Sequence, residues 1–237
     1  MKRHTLQKPD GSKLAAFSFD AKDPGGNVPS PSAFFIHGAG KSHARRTDYL
    51  SEWLAGRGIA STSFDQEGHG ESEGALEGSS LARRAAEADF VHQTLSKGPL
   101  ALVAGSSMGG HLAIRKGVFW QSPAIALFCP AVYGHRAWDL AFGAAFRDFI
   151  RKPGSFRQSD ALEALSGYQG RMAVFIGADD EVIPSEVLDL LAEHAKSASF
   201  FVCHRIPGCT HLIHRTAAED PRVRNVIFDG LEELLAG

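Results

Sequence analysis

Cysteine is scarce in this chain of 237 residues, where Cys129, Cys203 and Cys209 are the only three. They form no C-x-x-C pair and are odd in number, which argues against a disulfide framework or a zinc ribbon and leaves buried free thiols as the reading. An excess of charge of one sign is also missing. The 25 basic residues face 27 acidic ones, and the basic ones come in pairs such as Arg45-Arg46 and Arg83-Arg84 rather than in a run, so nucleic-acid binding has no electrostatic support. No apolar stretch approaches the roughly 18 to 20 residues that span a bilayer, so no stable membrane insertion is expected. The basic Met1-Lys2-Arg3 start has no apolar run after it and does not read as a secretory signal, which makes a cytoplasmic protein the expectation. Internal repeats are lacking too.

What remains is an ordinary globular composition, 43% hydrophobic and 22% charged, and a chain of this size buries roughly 70% or more of its unfolded surface. Short apolar or β-branched runs alternate with longer stretches of helical period, the mark of an α/β protein with a mostly parallel central sheet and helices on both faces. Strands are expected at Lys13 to Phe19, Ala33 to Ile36, Ile59 to Phe64, Leu100 to Ala104, Ala124 to Phe128, Ala173 to Ile176 and Phe200 to Arg205. The clearest helix is Ser80 to Lys97, where Leu81, Ala85, Ala88, Val91 and Leu95 recur at spacings of three and four. Others are expected near Thr47 to Gly56, Met108 to Trp120, Ser185 to Ala195 and Pro221 to Leu235.

Residues 23–31, dense in proline and glycine, read as a surface loop rather than a domain linker. The whole chain, 1–237, is therefore taken as a single domain. Residues 135–171 interrupt the strand-helix rhythm with amphipathic material containing Trp138, Phe142, Phe146 and Phe149. A small helical lid is the expectation there, with additional core packing as its rival.

The strongest chemical signal is Gly105-Ser106-Ser107-Met108-Gly109-Gly110, because it follows an apolar strand and opens a helix. Small residues around the central serine permit a sharp strand-to-helix turn that exposes its hydroxyl, so Ser107 is the candidate nucleophile. A second match, Gly70-Glu71-Ser72-Glu73-Gly74, lies in a polar loop between carboxylates that would oppose a developing alkoxide, and Ser72 is set aside. A serine hydroxyl needs a base oriented by a third group. The strand ending at Ile176 runs into Gly177-Ala178-Asp179-Asp180, which makes Asp180 the candidate acid ahead of Asp179. The turn after the last strand offers His211 as the base. His214 could pair with His211 around a metal, but two histidines without a third ligand are a weak signal, and no metal or other cofactor is expected. His204 falls within a strand and is read as packing or facing solvent. For an oxyanion, the N–H after the nucleophile, on Met108, and one from the loop His37-Gly38-Ala39-Gly40 are the candidate donors, with Ala39 preferred to Gly40. His37 is read as holding that loop through hydrogen bonds.

Together with Asp65-Gln66-Glu67-Gly68-His69-Gly70, Asp180-Glu181-Val182-Ile183-Pro184 and Gly208-Cys209-Thr210-His211, these motifs resemble the α/β-hydrolase superfamily from about residue 30 to 215. The resemblance is to the branch containing monoacylglycerol lipases and serine aminopeptidase-like hydrolases, and it implies the roles of oxyanion loop, elbow, acid and base in that order along the chain. The stretch from Cys129 to Ala173 is shorter than the cap of monoacylglycerol lipases, which weakens any transfer of lipid specificity. The expected function is hydrolysis of a carboxylic ester in a small-molecule substrate through a Ser-His-Asp acyl-enzyme mechanism. Thioester or amide cleavage, acyl transfer and a non-catalytic binding role remain as alternatives.

Overall fold

The computed structural model describes residues 1–21, 32–96 and 99–236, so the loop expected at residues 23–31 lies outside the described residues. Its strands are β1 (Lys2–Gln7), β2 (Lys13–Phe19), β3 (Ser32–Ile36), β4 (Ala60–Phe64), β5 (Leu100–Ser106), β6 (Ala124–Phe128), β7 (Arg171–Gly177) and β8 (Phe200–Ile206). They form one sheet in the order β1-β2-β4-β3-β5-β6-β7-β8. The pairs of β2 with β1 and β4 are antiparallel, and every pair from β4 and β3 to β8 is parallel. Central strands β3 and β6 are buried along their whole length, as parallel strands covered on both faces must be, which is why they read as unbroken apolar runs.

The helices are α1 (Asp48–Ala55), α2 (Leu81–Leu95), α3 (Met108–Phe119), α4 (Ala144–Ile150), α5 (Asp160–Leu165), α6 (Ser185–His194), α7 (Ile213–Glu219) and α8 (Pro221–Leu235). Side-chain alternation along β3 assigns the two layers. Phe34 and Ile36 pack with Ala85, Ala88 and Val91 of α2 and Leu112 of α3, while Ala33 and Phe35 belong to the cluster holding Leu50 and Leu54 of α1. Successive residues of a strand face opposite ways, so α1 and α2 lie on opposite faces. Helix α8 joins α1, where Trp53 stacks on Phe228 with ring centroids 5.0 Å apart. Helix starts are set locally. Ser80 accepts a hydrogen bond from the Arg83 N–H at the head of α2, and Asp220 accepts one from Arg222 N–H beside the first-turn proline of α8.

Three features depart from the sequence reading. Strand β1 was not expected, because Leu6 is the one large apolar residue in an edge strand that is mostly exposed. Residues 135–171 are not one unit: a helical turn (His135–Ala137) and α4 come first, whereas α5 docks on α3 and α6 and buries Ala161, Leu162 and Leu165 in the main core. Phe142 and Phe146 of the first part close a cluster over Leu81 and Met108. Finally, Cys129 and Cys209 are buried but Cys203 is exposed. It sits on β8, which among the described residues pairs with β7 alone and turns Cys203 and Arg205 outward.

Candidate active site

Strand β5 passes into α3 at Ser107, whose backbone is held at φ 50° and ψ −118°. That is a costly conformation for a residue with a side chain, and neighbouring glycines make it attainable. A methyl group on Gly105 would lie 2.1 Å from the Gly109 carbonyl oxygen. The turn is pinned further by Ser107 N–H donating to Phe128 O at 2.9 Å, and by Ser107 O accepting from Gly110 and Ala131 N–H. The hydroxyl therefore stands on a rigid elbow at the C-terminal edge of the sheet, where sites of such sheets form.

The structure brings three of the sequence candidates into one hydrogen-bonded chain. His211 Nε2 is 3.0 Å from Ser107 Oγ, and His211 Nδ1 is 2.9 Å from Asp180 Oδ2. The other carboxylate oxygen of Asp180 accepts from Val182 N–H at 2.8 Å and Ile183 N–H at 3.1 Å. Burial pushes the Asp180 carboxyl up, but the His211 hydrogen bond and those two backbone donors outweigh it and hold it below its ordinary value. An ionised Asp180 fixes the imidazole proton on Nδ1 and leaves Nε2 free to accept. Asp179 is exposed and its N–H donates to Cys209 O; among the described residues its carboxylate makes no hydrogen bond to His211.

The loop at the end of β3 is held from behind. His37 Nδ1 donates to Gly38 O at 2.6 Å, its Nε2 accepts Gln66 N–H at 3.0 Å, and Gln66 Nε2 donates to His37 O at 2.7 Å. Burial, reinforced by His69, pushes His37 down to about 3, so it is a neutral strut. Gly38 lies against the elbow, where a methyl group would come within 3.1 Å of Ser106 O and of Ser107 Cβ. Among the described residues neither the Ala39 N–H nor the Met108 N–H donates to a protein acceptor, so both are free to donate.

Two cavities meet at Ser107. One, of about 140 Å³, is lined by Ala39, Lys41, Arg46, Ser106 and His214. The other, of about 270 Å³, has an apolar wall of Val132, Ile150, Phe156, Ile183 and Val187, to which the end of α4 contributes, and is also lined by Arg151 and Lys152.

The remaining candidates have structural positions. Ser72 Oγ accepts Ala15 N–H at 2.9 Å and donates to Asp65 O, which ties the polar loop to β2. His204 stacks on Phe175 with centroids 5.0 Å apart. His214 does not join His211. Its Nε2 is 2.6 Å from Ser106 Oγ and its Nδ1 is 3.0 Å from Tyr49 OH. Sequence reasoning missed this relay, since nothing local signals contact between Ser106 and a residue 108 positions on. Cys129 Sγ lies with ligand atoms of Asp180 and His211 in a group within 4.8 Å of one another. Burial pushes that thiol up, and the other two already bond each other, so the trio is poorly suited to hold a cation.

The family model described as serine aminopeptidase, S33, matches residues 29–154, more than half of the chain. The chain belongs to this family. Solved structures similar to it over nearly the whole length share the α/β-hydrolase fold. The thioesterase domain from the curacin biosynthetic pathway has a TM-score of 0.68 at 18% identity, covering 96% of this chain and 99% of that one. The ferulic acid-bound Est1E of Butyrivibrio proteoclasticus has a TM-score of 0.67 at 20% identity, covering 95% and 98%. The monoacylglycerol lipase of Paleococcus ferrophilus has a TM-score of 0.67 at 19% identity, covering 94% and 98%. No curated protein matches the sequence. Membership makes the chain an α/β-hydrolase, and among its described residues no helix is long and apolar enough to cross a membrane.

Proposed function

We propose that this hydrolase cleaves carboxylic esters through an acyl-enzyme on Ser107. The observation that carries the reading is the unbroken relay from Ser107 Oγ through His211 to a carboxylate held below its ordinary value. His211 Nε2 takes the hydroxyl proton as Ser107 Oγ bonds to the ester carbonyl carbon, and the carbonyl oxygen becomes an oxyanion facing the Ala39 and Met108 N–H groups. On collapse the carbon-to-leaving-oxygen bond breaks, and His211 returns its proton to the departing alcohol. A water molecule, deprotonated by the same nitrogen, then adds to the acyl-enzyme and releases the acid with Ser107 restored. Asp180 keeps its charge throughout and stabilises the imidazolium. The neutral His37 holds the loop bearing Ala39 and has no part in proton transfer.

The apolar wall that Ile150, Phe156 and Val187 give the larger cavity favours a hydrocarbon part of the substrate, with the segment bearing α4 acting as a small lid over it. Similarity to an esterase, a lipase and a thioesterase domain agrees with acyl chemistry. Labelling with a fluorophosphonate, followed by mapping of the modified peptide, tests the reading. Modification at Ser107 that disappears in His211→Ala is the expected outcome, together with turnover of short p-nitrophenyl esters. Esterase activity in Ser107→Ala within about tenfold of the parent would refute it, since loss of a triad member costs several orders of magnitude.

A further inference from the structure

The smaller cavity has a composition that ester hydrolysis alone does not require. Lys41, Arg46 and Arg215 line it together with the hydroxyl residues Ser42 and Ser106, and no carboxylate lines it among the described residues. Arg215 is engaged by Glu219 at 3.2 Å, and the adjacent Arg45 by Asp48 at 3.0 Å. Lys41 and Arg46 form no ion pair among the described residues. Arg46 Nη2 donates to Lys41 O at 3.1 Å, while its Nε is buried without an acceptor. Cations without a carboxylate partner beside a cavity favour a charge-assisted hydrogen bond to an anion that enters it.

The Ser106 relay points the same way. Burial keeps the Tyr49 hydroxyl protonated by pushing it far up, and pushes His214 down to about 3, with Arg46 adding to that shift. A neutral imidazole has a single N–H to give. Tyr49 OH meets no other acceptor among the described residues, so it donates to His214 Nδ1. The imidazole proton is then on Nε2 and donates to Ser106 Oγ. With its oxygen already accepting, Ser106 is left with its own O–H to donate into the cavity that it lines.

Resting on the ester-hydrolase reading, we infer that the cavity lined by Lys41, Arg46 and Ser106 is a subsite for an anionic oxygen group, a carboxylate or phosphate, carried by the substrate beside its scissile carbonyl. Arg151 and Lys152 also line the larger cavity, so what marks the anion's place is the loss of charged-ester preference when Lys41 or Arg46 is neutralised, with the hydrocarbon part against Ile150 and Val187.

Calorimetric titration of Ser107→Ala tests this without turnover, with phenyl butyrate, 3-carboxyphenyl butyrate and the 3-phosphate of the same phenyl ester as ligands. The expected result is at least about tenfold tighter binding of a charged ester than of the neutral one, falling as salt is raised, because the attraction is between partly exposed charges. Which of the two charged esters binds tighter separates a carboxylate site from a phosphate site. Adding Lys41→Gln, at an exposed position that leaves the core intact, or Arg46→Gln should each shrink the charged-to-neutral ratio by about threefold to tenfold. Equal binding of all three esters, or a ratio unmoved by both substitutions, overturns the subsite. Hydrolysis of phenyl butyrate by the unaltered protein reports separately on the ester reading, so the two can fail independently.

Discussion

The Cα of Gly109 packs against the end of β3 so closely that a methyl group on it would lie 2.1 Å from the carbonyl oxygen of Ile36. This contact joins the head of α3 to the strand whose loop carries Ala39, and it leaves no flexible side chain to move aside. Gly109→Ala should therefore destabilise the fold by about 2 kcal/mol or more, since backbone must shift to relieve the overlap. Urea unfolding measures this. A loss below about 0.5 kcal/mol, within the scatter of surface substitutions, would show that the elbow yields more readily than its packing suggests.

Asp180 lies 2.9 Å from His211 Nδ1, and in the proposed mechanism it orients that ring and stabilises the imidazolium. In Asp180→Asn the amide preserves the size of the side chain but permits the wrong imidazole tautomer. Turnover of a p-nitrophenyl ester should fall by about 10³- to 10⁴-fold with a much smaller change in KM. A drop of less than about tenfold would remove Asp180 from the relay and reopen the case for Asp179.

The second glycine-serine-glycine motif predicts the opposite pattern. Ser72 holds the loop to β2 by accepting from Ala15 N–H, so Ser72→Ala should cost about 1 to 3 kcal/mol of stability through an unsatisfied donor. Fluorophosphonate should still label that variant, at Ser107. Loss of labelling in a folded Ser72→Ala protein would contradict both assignments.

His37, His111 and His214 are each pushed down to about 3 by burial. In the unfolded chain each takes up a proton near pH 6.5. Between about pH 6.5 and 3 the unfolded state therefore holds more protons, so stability rises with pH across that window and is lost on acidification, by about 1.4 kcal/mol per pH unit for each histidine. Unfolding free energies measured from pH 7 to 5 should fall steadily. His111→Gln, which keeps an acceptor for Tyr133 N–H, should flatten the slope by about 1 kcal/mol per unit near pH 5. An unchanged slope would mean that His111 is protonated in the fold.

Ile150 contributes to the apolar wall beside Ser107. Filling that space in Ile150→Trp should lower kcat/KM for hexanoyl esters by about tenfold relative to acetyl esters, because a lost methylene-sized volume is worth roughly 1 to 3 kcal/mol in such pockets. An unaltered chain-length profile would place the acyl group elsewhere.

Much of this architecture was legible because its signals are local. An apolar run such as Leu100 to Ala104 can be covered on both faces only as a central strand, and Gly105 and Gly109 announce an elbow that only small residues permit. Edge strand β1 escaped because an exposed strand with one large apolar residue has no burial pattern to betray it. The sequence does not separate helix α5 from a lid, because an amphipathic stretch shows that one face is covered and leaves open by what; its partners are α3 and α6.

The site divides the same way. The positions of Ser107, Asp180, His211 and the loop at Ala39 at strand ends followed by turns are readable, since the geometry of those turns depends on neighbours in sequence. Which histidine would face which serine was not readable. His211 and His214 stand three residues apart after the same strand, and only the way that turn enters α7 sends one to Ser107 and the other to Ser106 and Tyr49. The gathering of Lys41, Arg46 and Arg215 around one cavity is likewise a product of the fold. Local sterics determined the turns that carry Ser107, Asp180 and His211; the convergence of loops from separate strands at one edge of the sheet decided their company.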